Sequence, residues 1–413
     1  MLSWRSATRL CMALALTTTV ACDQAPVGLT SPTGDGSAVS SLPKLGATAT
    51  VLSVADVEQL YAAVNDPANE GAGITLAPGT YVLSANNGAG ARPNGGRLEL
   101  QRDMSLYGVA GDRSAVVIDA TGLPASSMTV SFGRTSPVRV GRGSNTIEWL
   151  TVLGNSAAAG GIAAELPGNT STRIRVAHVV SGGSSRGLDV RNASAANAGR
   201  RIDAEIVDNE LFGPTDVQGM SEGIRLVNFV GADRGVIVAT LSGNRVHGFQ
   251  IGCIVANNRS SNAIVQVRSS GDRFFANALA AVIAGGLSQA TTGVANSNST
   301  TFEAHGSAFV DNTASIAGVD PGGVVVMGAR STTQPNVASG NTVWVALWGT
   351  KVSGNLGVNF EAFGAREDAL TGLAGTNNHA TIELHGVSKQ IDVQATASLP
   401  VDPAATNTVT IIR

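Results

Sequence analysis

The segment Gly223-Ile-Arg-Leu-Val-Asn228 decides the fold of this chain, because copies of it recur at intervals of roughly 30 residues. In each copy a small residue is followed by alternating apolar positions, and an alternation of this kind is the period of a β-strand. The copies are Gly161-Ile-Ala-Ala-Glu-Leu166, Gly187-Leu-Asp-Val-Arg-Asn192, Gly252-Cys-Ile-Val-Ala-Asn257, Ala281-Val-Ile-Ala-Gly-Gly286, Gly323-Val-Val-Val-Met-Gly328 and Gly357-Val-Asn-Phe-Glu-Ala362.

A second motif, an apolar strand that ends in Gly-Asn or Asp-Asn, precedes most of these copies. Each unit therefore reads as a strand, a turn that carries Asn or Gly, and a second short strand, with no sustained helical stripe. Such units predict a coil in which each turn stacks on the last, a parallel β-solenoid. A β-propeller is the competing repeat fold, but its blades need about 40–45 residues and the units here are shorter and uneven. The second motif occurs at Leu153-Gly-Asn155, Val207-Asp-Asn209, Ser242-Gly-Asn244, Val310-Asp-Asn312 and Ser353-Gly-Asn355.

Stacked coils place equivalent residues in columns, because neighbouring strands lie about 4.8 Å apart. We expect two inward columns, Ile162, Leu188, Ile224 and Cys253 in one and Ala164, Val190, Leu226 and Val255 in the next. A third column aligns Asn192, Asn228 and Asn257. These asparagines form either a hydrogen-bonded amide ladder at a corner of the coil or a set of solvent-facing turn residues.

Near its start the chain resembles a known family. The segment Ile74-Thr-Leu-Ala-Pro-Gly-Thr-Tyr-Val-Leu83 is followed by Arg97-Leu-Glu-Leu-Gln101, Met104-Ser-Leu-Tyr-Gly108 and Val116-Val-Ile-Asp119. This order is similar to the entry rungs of pectin-lyase-like right-handed parallel β-helix proteins, and the resemblance extends over residues 51–391. It implies an all-β, single-stranded right-handed parallel β-helix with an N-terminal capping helix. It implies no particular activity, since many functions share this scaffold.

The two ends of the solenoid have their own signals. Residues 53–64 read as the capping helix, with Ser53 and Asp56 as a capping box and Asn65-Asp66-Pro67 as the stop. At the other end, the segments 381–384, 390–393 and 408–412 are predicted to be closing strands. A cap is expected because solenoid ends expose core and unpaired strand edges.

The N-terminus resembles a bacterial lipoprotein signal. Arg5 and Arg9 precede a short apolar run, and Thr19-Val-Ala-Cys22 is similar to a lipobox except at Thr19, where leucine is usual. The resemblance implies lipidation of Cys22, and the alternative is simple secretion. We therefore expect an exported protein of the bacterial cell envelope, held to the membrane by a lipid anchor, or a secreted one. The predicted domains are a signal peptide (1–22), a flexible linker (23–47), the β-helix (48–395) and a C-terminal closing strand or tail (396–413).

Composition narrows the function classes. The chain has 27 Lys plus Arg against 30 Asp plus Glu, a net charge of −3, so no bulk positive field exists to collect a nucleic acid. Hydrophobic residues make up 43% and charged residues only 14%, which argues against a charge-driven disordered chain. Cys253 has no expected disulfide partner in the folded body and reads as a small buried hydrophobe.

Charged residues recur at outward positions of the predicted strands. The register places Asp189 beside Arg225 and Glu165 beside Arg191, one rung apart. One interpretation is an exposed sheet face with weak cross-rung ion pairs. The other is a catalytic neighbourhood in which carboxylates hold Ca²⁺ and a basic side chain abstracts a proton, as polysaccharide elimination requires. The catalytic candidates are then Asp189, Asp203, Glu205 and Arg225, and Ca²⁺ is expected only in that case.

The catalytic sequences of the resembled family are missing. The Asn-Thr-Asp and Gly-His-Gly stretches of polygalacturonases are absent, and so is the Trp-x-Asp-His stretch of pectate lyases. Trp344 and Trp348 are candidates for stacking on sugar rings, and Glu165 and Arg191 are further binding candidates. We therefore expect an exported protein, without a cofactor, that binds polysaccharide or cell-surface glycans or serves as a non-catalytic scaffold or adhesin. The alternatives are a divergent polysaccharide lyase or hydrolase and a repeat protein that binds another protein.

Overall fold

The computed structural model describes residues 50–124, 136–155, 161–166, 171–192, 198–215, 220–288, 294–313, 322–331, 338–367, 375–387, 393–399 and 406–413. The predicted signal peptide, Cys22 and the linker 23–47 lie outside these residues. Within them, no helix has the length and apolar character needed to cross a bilayer.

The chain is a right-handed parallel β-helix whose coils contribute one strand to each of three parallel sheets, A, B and C. Each coil thus has three strands, whereas the sequence predicted two. Sheet A comprises β1 (Val51–Val54), β2 (Gly73–Leu76), β7 (Ser105–Tyr107), β10 (Ser144–Glu148), β13 (Ser171–Ala177), β16 (Arg201–Val207), β19 (Val236–Ser242), β22 (Ile264–Ser270), β25 (Ser299–His305), β28 (Thr342–Trp348), β31 (His379–His385) and β33 (Thr408–Ile412).

Sheets B and C follow sheet A in every complete coil. Sheet B comprises β3 (Gly79–Val82), β8 (Val116–Asp119), β11 (Thr151–Leu153), β14 (Val180–Gly182), β17 (Glu210–Phe212), β20 (Arg245–His247), β23 (Arg273–Phe275), β26 (Ala308–Val310) and β29 (Lys351–Ser353). Sheet C comprises β6 (Leu98–Glu99), β9 (Val138–Val140), β12 (Ile162–Ala164), β15 (Arg186–Asn192), β18 (Glu222–Asn228), β21 (Ile251–Asn258), β24 (Leu279–Ser288), β27 (Gly322–Ser331), β30 (Phe360–Glu367) and β32 (Val393–Leu399). A small antiparallel hairpin, β4 (Asn86–Asn87) with β5 (Gly90–Ala91), and two 3₁₀ turns, Pro67–Asn69 and Pro93–Gly96, lie in the first coil.

The predicted inward columns are confirmed. Ile162 pairs with Leu188, Leu188 with Ile224, and Ile224 with Cys253, and each of these side chains is almost fully buried. The column that begins at Ala164 has the same register. Apolar side chains from all three sheets, aliphatic and aromatic, therefore fill one continuous core along the axis.

The asparagine column is a hydrogen-bonded ladder. The Asn192 amide donates to Asn228 Oδ1 at 2.8 Å, and the Asn228 amide donates to Asn257 Oδ1 at 2.8 Å, with all three side chains buried. The solvent-facing alternative is wrong here, because a buried corner needs partners for its polar groups and a stacked amide provides both donor and acceptor. Three further ladders join Asn209, Asn244 and Asp272, then Asn277, Asn312 and Asn355, then Asn298, Asn341, Asn378 and Asn407.

The cap differs from the prediction at its start. The helix α1 is Val57–Asn65, and Asp56 is its N-cap, accepting from the Gln59 backbone N–H at 2.8 Å. Ser53 instead lies in β1, because its backbone pairs with β2 in sheet A. The helix ends at the predicted Asn65-Asp66-Pro67 stop.

The C-terminal end continues the same stack. Strand β31 contains the predicted segment 381–384, and β33 matches the predicted strand 408–412. Strand β32 covers 393–399, so it crosses the predicted boundary at residue 395 and pairs with β30. Of the predicted strand 390–393, residues 390–392 lie outside the described part of the chain.

Sheet C differs from the other two sheets because both of its faces are buried. Strand β24 reads Leu-Ala-Ala-Val-Ile-Ala-Gly-Gly-Leu-Ser, and all ten residues are buried. Strand β22 of sheet A instead alternates buried and exposed residues. Near-continuous apolar runs are typical of parallel strands that are covered on both sides.

Candidate functional site

The charged residues predicted on an outward column lie on the outer face of sheet C. We call the cluster of Glu99, Arg139, Glu165, Arg186, Asp189, Arg191, Glu222 and Arg225 the charged network. Its register is as predicted, with Asp189 opposite Arg225. Its environment is not the predicted exposed face, because Glu165, Asp189, Arg191 and Arg225 are no more than 4% exposed. Strands β12, β15, β18, β21 and β24 are buried on both faces along their whole length.

Glu165 is the centre of one half of the network. Its Oε2 accepts from Arg191 Nη2 at 2.5 Å and Nε at 2.9 Å, and its Oε1 accepts from Arg139 Nη2 at 3.1 Å. Arg139 also contacts Glu99 one coil earlier. One carboxylate thus holds two buried guanidinium groups, and these bonds are of the strong charge-assisted kind.

Asp189 and Glu222 form the other half. Asp189 Oδ2 lies 3.4 Å from Arg191 Nε and 4.0 Å from Arg225 Nη1, and Glu222 Oε2 accepts from Arg186 Nε at 2.5 Å. Neither Asp189 oxygen has a hydrogen-bond partner among the described residues. Asp189 is therefore held by charge rather than by well-formed hydrogen bonds.

The pKa directions follow from burial and from these neighbours. Burial alone raises the pKa of the Asp189 carboxyl, but Arg191, Arg225 and Arg186 outweigh it, so the pKa lies below its ordinary value. The same balance, with Arg186 and Arg225, lowers the pKa of Glu222. Burial lowers the pKa of Arg225 to about 10. Arg225 thus stays protonated near neutral pH and does not act as a proton acceptor there.

The remaining catalytic candidates lie elsewhere. Asp203 and Glu205 are on β16 in sheet A, not in the charged network. Asp203 pairs with Arg201 at 2.6 Å, and Glu205 pairs with Arg175. The structure therefore brings Asp189 and Arg225 together and separates them from Asp203 and Glu205.

The charged network is balanced. Four arginines face four carboxylates, and each carboxylate contacts at least one arginine. In the described residues, no group of three or more His, Cys, Asp or Glu side chains is placed to hold a metal ion. The predicted binding candidates Glu165 and Arg191 are enclosed in this network. Its geometry is that of structural ion pairing in a buried face.

The two tryptophan candidates lie on the outer face of sheet A. Trp344 and Trp348 are four residues apart on β28, so both point away from the core. Trp344 is half-buried, and Trp348 is 41% exposed. With His305, His385, Glu303 and Glu383 on the neighbouring strands, they form what we call the Trp348 patch.

Trp348 is the centre of a ring stack that runs along the helix axis. Its indole lies 3.7 Å from the His385 ring and 6.0 Å from the His305 ring, with interplanar angles of 14° and 3°. These three residues occupy one register column of β25, β28 and β31. The stack fixes the indole while leaving part of it open to solvent.

Two carboxylates, Glu303 and Glu383, lie in the register column beside the stack. Glu383 accepts from Trp344 Nε1 at 2.9 Å and lies 3.1 Å from His385 Nε2. Burial tends to raise the pKa of Glu383, but these two hydrogen bonds outweigh it and the pKa is lowered. Glu303 lies 3.2 Å from Arg268 Nε and 3.8 Å from His305 Nε2. The patch therefore presents the partly exposed edge of a ring stack beside carboxylate oxygens that can accept hydrogen bonds.

Sequence reasoning found the tryptophans of this patch but missed its histidines and glutamates. The spacing Glu303-x-His305 on β25 recurs as Glu383-x-His385 on β31. Strand β28 lies between these two strands, and its Ala346-x-Trp348 occupies the same register positions. This repeated Glu-x-His spacing on strands of one sheet was the available signal.

Fold and site together define a three-sheet β-helix protein with an enclosed ion-pair network on one face and an open aromatic patch on another. No protein-family profile matches the chain, and no curated protein is significantly similar to it in sequence. Two similar solved structures are A-modules of mannuronan C-5 epimerases from Azotobacter vinelandii. The AlgE6 module has a TM-score of 0.42 and 17% identity, with 86% of this chain and 95% of the module covered. The AlgE4 module has a TM-score of 0.41 and 14% identity, with 87% and 97% covered. A likeness at this level of identity concerns the fold alone.

Proposed function

We propose that this chain is an exported, surface-anchored β-helix protein that binds a polysaccharide without chemical turnover, and that the Trp348 patch is its binding surface. One observation carries the proposal, namely that the Trp348 indole is held rigidly in a ring stack and remains 41% exposed. The faces of the indole lie against His385 and His305, so the outer edge of this stack is the apolar area that a sugar ring would contact.

The neighbours of Trp348 suit a sugar ligand. Carboxylate oxygens accept hydrogen bonds from hydroxyl groups, and Glu303 and Glu383 lie on the same outer column, one coil before and one coil after Ala346. Because the stacked rings repeat along the axis, the patch fits an extended chain better than a single sugar.

The anchor completes the proposal. Lipidated Cys22 would fix the protein to a membrane, and the linker 23–47 would behave as a flexible coil. A coil of this length spans about 25–30 Å on average.

The test compares variants of Trp348 in polysaccharide binding. The purified chain is run through gels that contain neutral or acidic polysaccharides, and its retardation gives an apparent Kd. We expect Trp348→Ala to weaken binding by about tenfold or more, the equivalent of about 1.4 kcal/mol, and Trp348→Phe to keep most of it.

The matched control is Val82→Ala, which removes an exposed apolar side chain on sheet B far from the patch. It should leave binding unchanged. Equal binding by wild type and Trp348→Ala, with thermal unfolding unaltered, would disprove the proposal. If the same mixtures develop the ultraviolet absorbance of an unsaturated uronate, the lyase alternative gains over non-catalytic binding.

A further inference from the structure

The outer face of sheet B carries two adjacent columns that the glycan proposal does not use. The first column contains the charged residues Glu210, Arg245, Arg273 and Lys351, with Ala308 between the last two. The second contains the rings of Phe212, His247 and Phe275 on three successive coils. We call Arg245, Arg273 and Lys351 with these rings the cationic strip.

Phe275 holds two guanidinium groups in place. Arg273 Cζ lies 4.5 Å and Arg245 Cζ 5.3 Å from the centroid of the Phe275 ring. His247 stacks on the same ring at 4.9 Å. A guanidinium supported by an aromatic ring loses less freedom when it binds a ligand, so the two arginines are pre-organised.

Neither arginine has an acidic partner within the described residues. Glu210, the nearest carboxylate in the column, is 3.5 Å from both Arg113 Nη2 and His247 Nε2 and has no contact with Arg245. Arginines on sheet A are different, since Arg268 pairs with Glu303 and Arg201 with Asp203.

Arg245 and Arg273 face each other directly in the register, and both are exposed. Like charges opposite each other on neighbouring strands are destabilising. An anion bound between them would remove that repulsion, and planar forks of N–H donors match carboxylate and sulfate oxygens.

We propose that Arg245 and Arg273 form an oxyanion site for the carboxylate or sulfate groups of an acidic polysaccharide that lies along sheet B. The inference rests on the proposed function, because the ligand is again a glycan. It adds a second contact surface, and this surface requires the glycan to carry acidic groups. Lys351 extends the strip toward the Trp348 patch, because only Gly349 and Thr350 separate it from Trp348. Gly349 has φ +55° and makes this tight corner between sheets A and B.

A nucleic acid is the less suitable polyanion. Single-stranded nucleic acids are held by stacking bases on open aromatic rings. On Phe275 the ring is already shared by two guanidinium groups and His247.

The experiment compares dextran, dextran sulfate, carboxymethyl dextran and single-stranded DNA as ligands of the purified full chain. The test variant is Arg245→Gln with Arg273→Gln. The matched control is Arg173→Gln with Arg201→Gln, which removes the same charge from two exposed positions on neighbouring strands of sheet A.

We expect the wild type to bind both acidic dextrans more tightly than dextran. The test variant should lose about tenfold or more of that affinity, and the control should change by less than about twofold. Thermal unfolding of the test variant should match the wild type or rise slightly, since the repulsion between Arg245 and Arg273 is gone. The control should lose no more than about 1 kcal/mol, since it breaks the exposed pair of Arg201 with Asp203.

Three results would overturn the inference. They are acidic-dextran binding that survives in the test variant, an equal loss in the control, and binding of single-stranded DNA as tight as that of the acidic dextrans. Trp348→Ala separates the two proposals. If it weakens binding of dextran and acidic dextrans alike while the arginine variant changes nothing, the proposed function stands and the oxyanion site falls.

Discussion

The outer face of sheet C has two halves whose residues are equally buried. One half is charged and the other is apolar. One register column runs through Ala163, Asp189 and Arg225, and then continues through Ile254 and Val282. Up to β18 the face carries the charged network. From the end of β18 onward it carries an apolar cluster, and this apolar half contains Val227, Ile251, Ile254, Ala256, Leu279, Val282, Ala284, Leu287, Met327 and Phe363.

The comparison shows that on this face a residue's burial does not depend on whether it is charged or apolar. Asp189 is 0% exposed and Val282 is 4% exposed, although they occupy the same column. The apolar half gains from burial directly. The charged half must offset the desolvation of its ions with opposite charges, which its four arginines and four carboxylates provide for one another.

The largest effect is expected when one partner in the charged half is removed. Glu165→Leu leaves Arg139 and Arg191 buried without their shared carboxylate, so the free energy of unfolding should fall by about 3–5 kcal/mol. Urea unfolding followed by circular dichroism measures it.

Asp203→Asn is the control for Glu165→Leu, since it breaks an ion pair on the half-exposed face of sheet A. It should cost no more than about 1 kcal/mol. Similar losses in the two variants would mean that the charged network is no more enclosed than the surface of sheet A.

A somewhat smaller loss is expected in the apolar half. Met327→Ala removes a side chain that is 1% exposed, and it should lower the free energy of unfolding by about 3 kcal/mol through lost burial and a cavity. Because no titrating group of the apolar half is involved, this loss should be equal at pH 7 and pH 4. A loss that changes with pH would show that the two halves are coupled.

Acidification should destabilise the charged half before it destabilises the apolar half. The folded-state pKa values of Asp189 and Glu222 are lowered, so their contribution to stability is full above the ordinary carboxyl values of about 4 and is lost as the pH falls through the folded-state values. Hydrogen exchange corrected for intrinsic rate should show β15 and β18 losing protection on acidification before β24 and β27 do. Simultaneous loss in all four strands would contradict the assignment of acid sensitivity to the charged network.

The inward columns and the pairing of Asp189 with Arg225 could be predicted because both depend only on register. A strand period of two and a repeated glycine fix which residues stack. The sequence did not separate sheet A from sheet B. Its Gly-Asn or Asp-Asn motif follows sheet B strands at Leu153, Val310 and Ser353 but sheet A strands at Val207 and Ser242. Sheet B strands such as β14 and β17 are also only three residues long. Three residues are too few to show a period.

The environment of the candidate site could not be predicted either. Alternation tells which residues point outward, but not whether other segments cover that face, so Glu165 and Arg191 read as surface residues. For Trp344 and Trp348 the same alternation sufficed, because the outer face of sheet A stays open beside them. Their partners His305 and His385 come from strands a coil away, and that proximity depends on loop lengths that vary between coils.

The smallest effect concerns a buried carboxylate that forms no ion pair with an arginine of the described residues. Asp272 occupies the place of an asparagine in a ladder, where its Oδ1 accepts from the Asn244 backbone and side chain at 2.8 Å and its Oδ2 accepts from Ser269 at 2.6 Å. Burial raises the pKa of this carboxyl, against the lowering effect of these hydrogen bonds. The pKa of Asp272 is thus raised, whereas the pKa of Asp189 is lowered. The two differ because arginines lie beside Asp189, while no arginine of the described residues pairs with Asp272.

A raised folded-state pKa means that Asp272 supports the fold best when it is protonated. That contribution is complete below the ordinary pKa, declines as the pH rises toward the raised folded-state value, and stays lost above it. Asp272→Asn keeps the oxygen that accepts from Asn244 and removes the charge, so it should stabilise the protein at pH 7 by about 1 kcal/mol or less. The gain should vanish at a pH below the ordinary pKa, where wild-type Asp272 is itself neutral. Thermal unfolding at the two pH values measures it, and a variant less stable than wild type at pH 7 would mean that the ladder needs the charge.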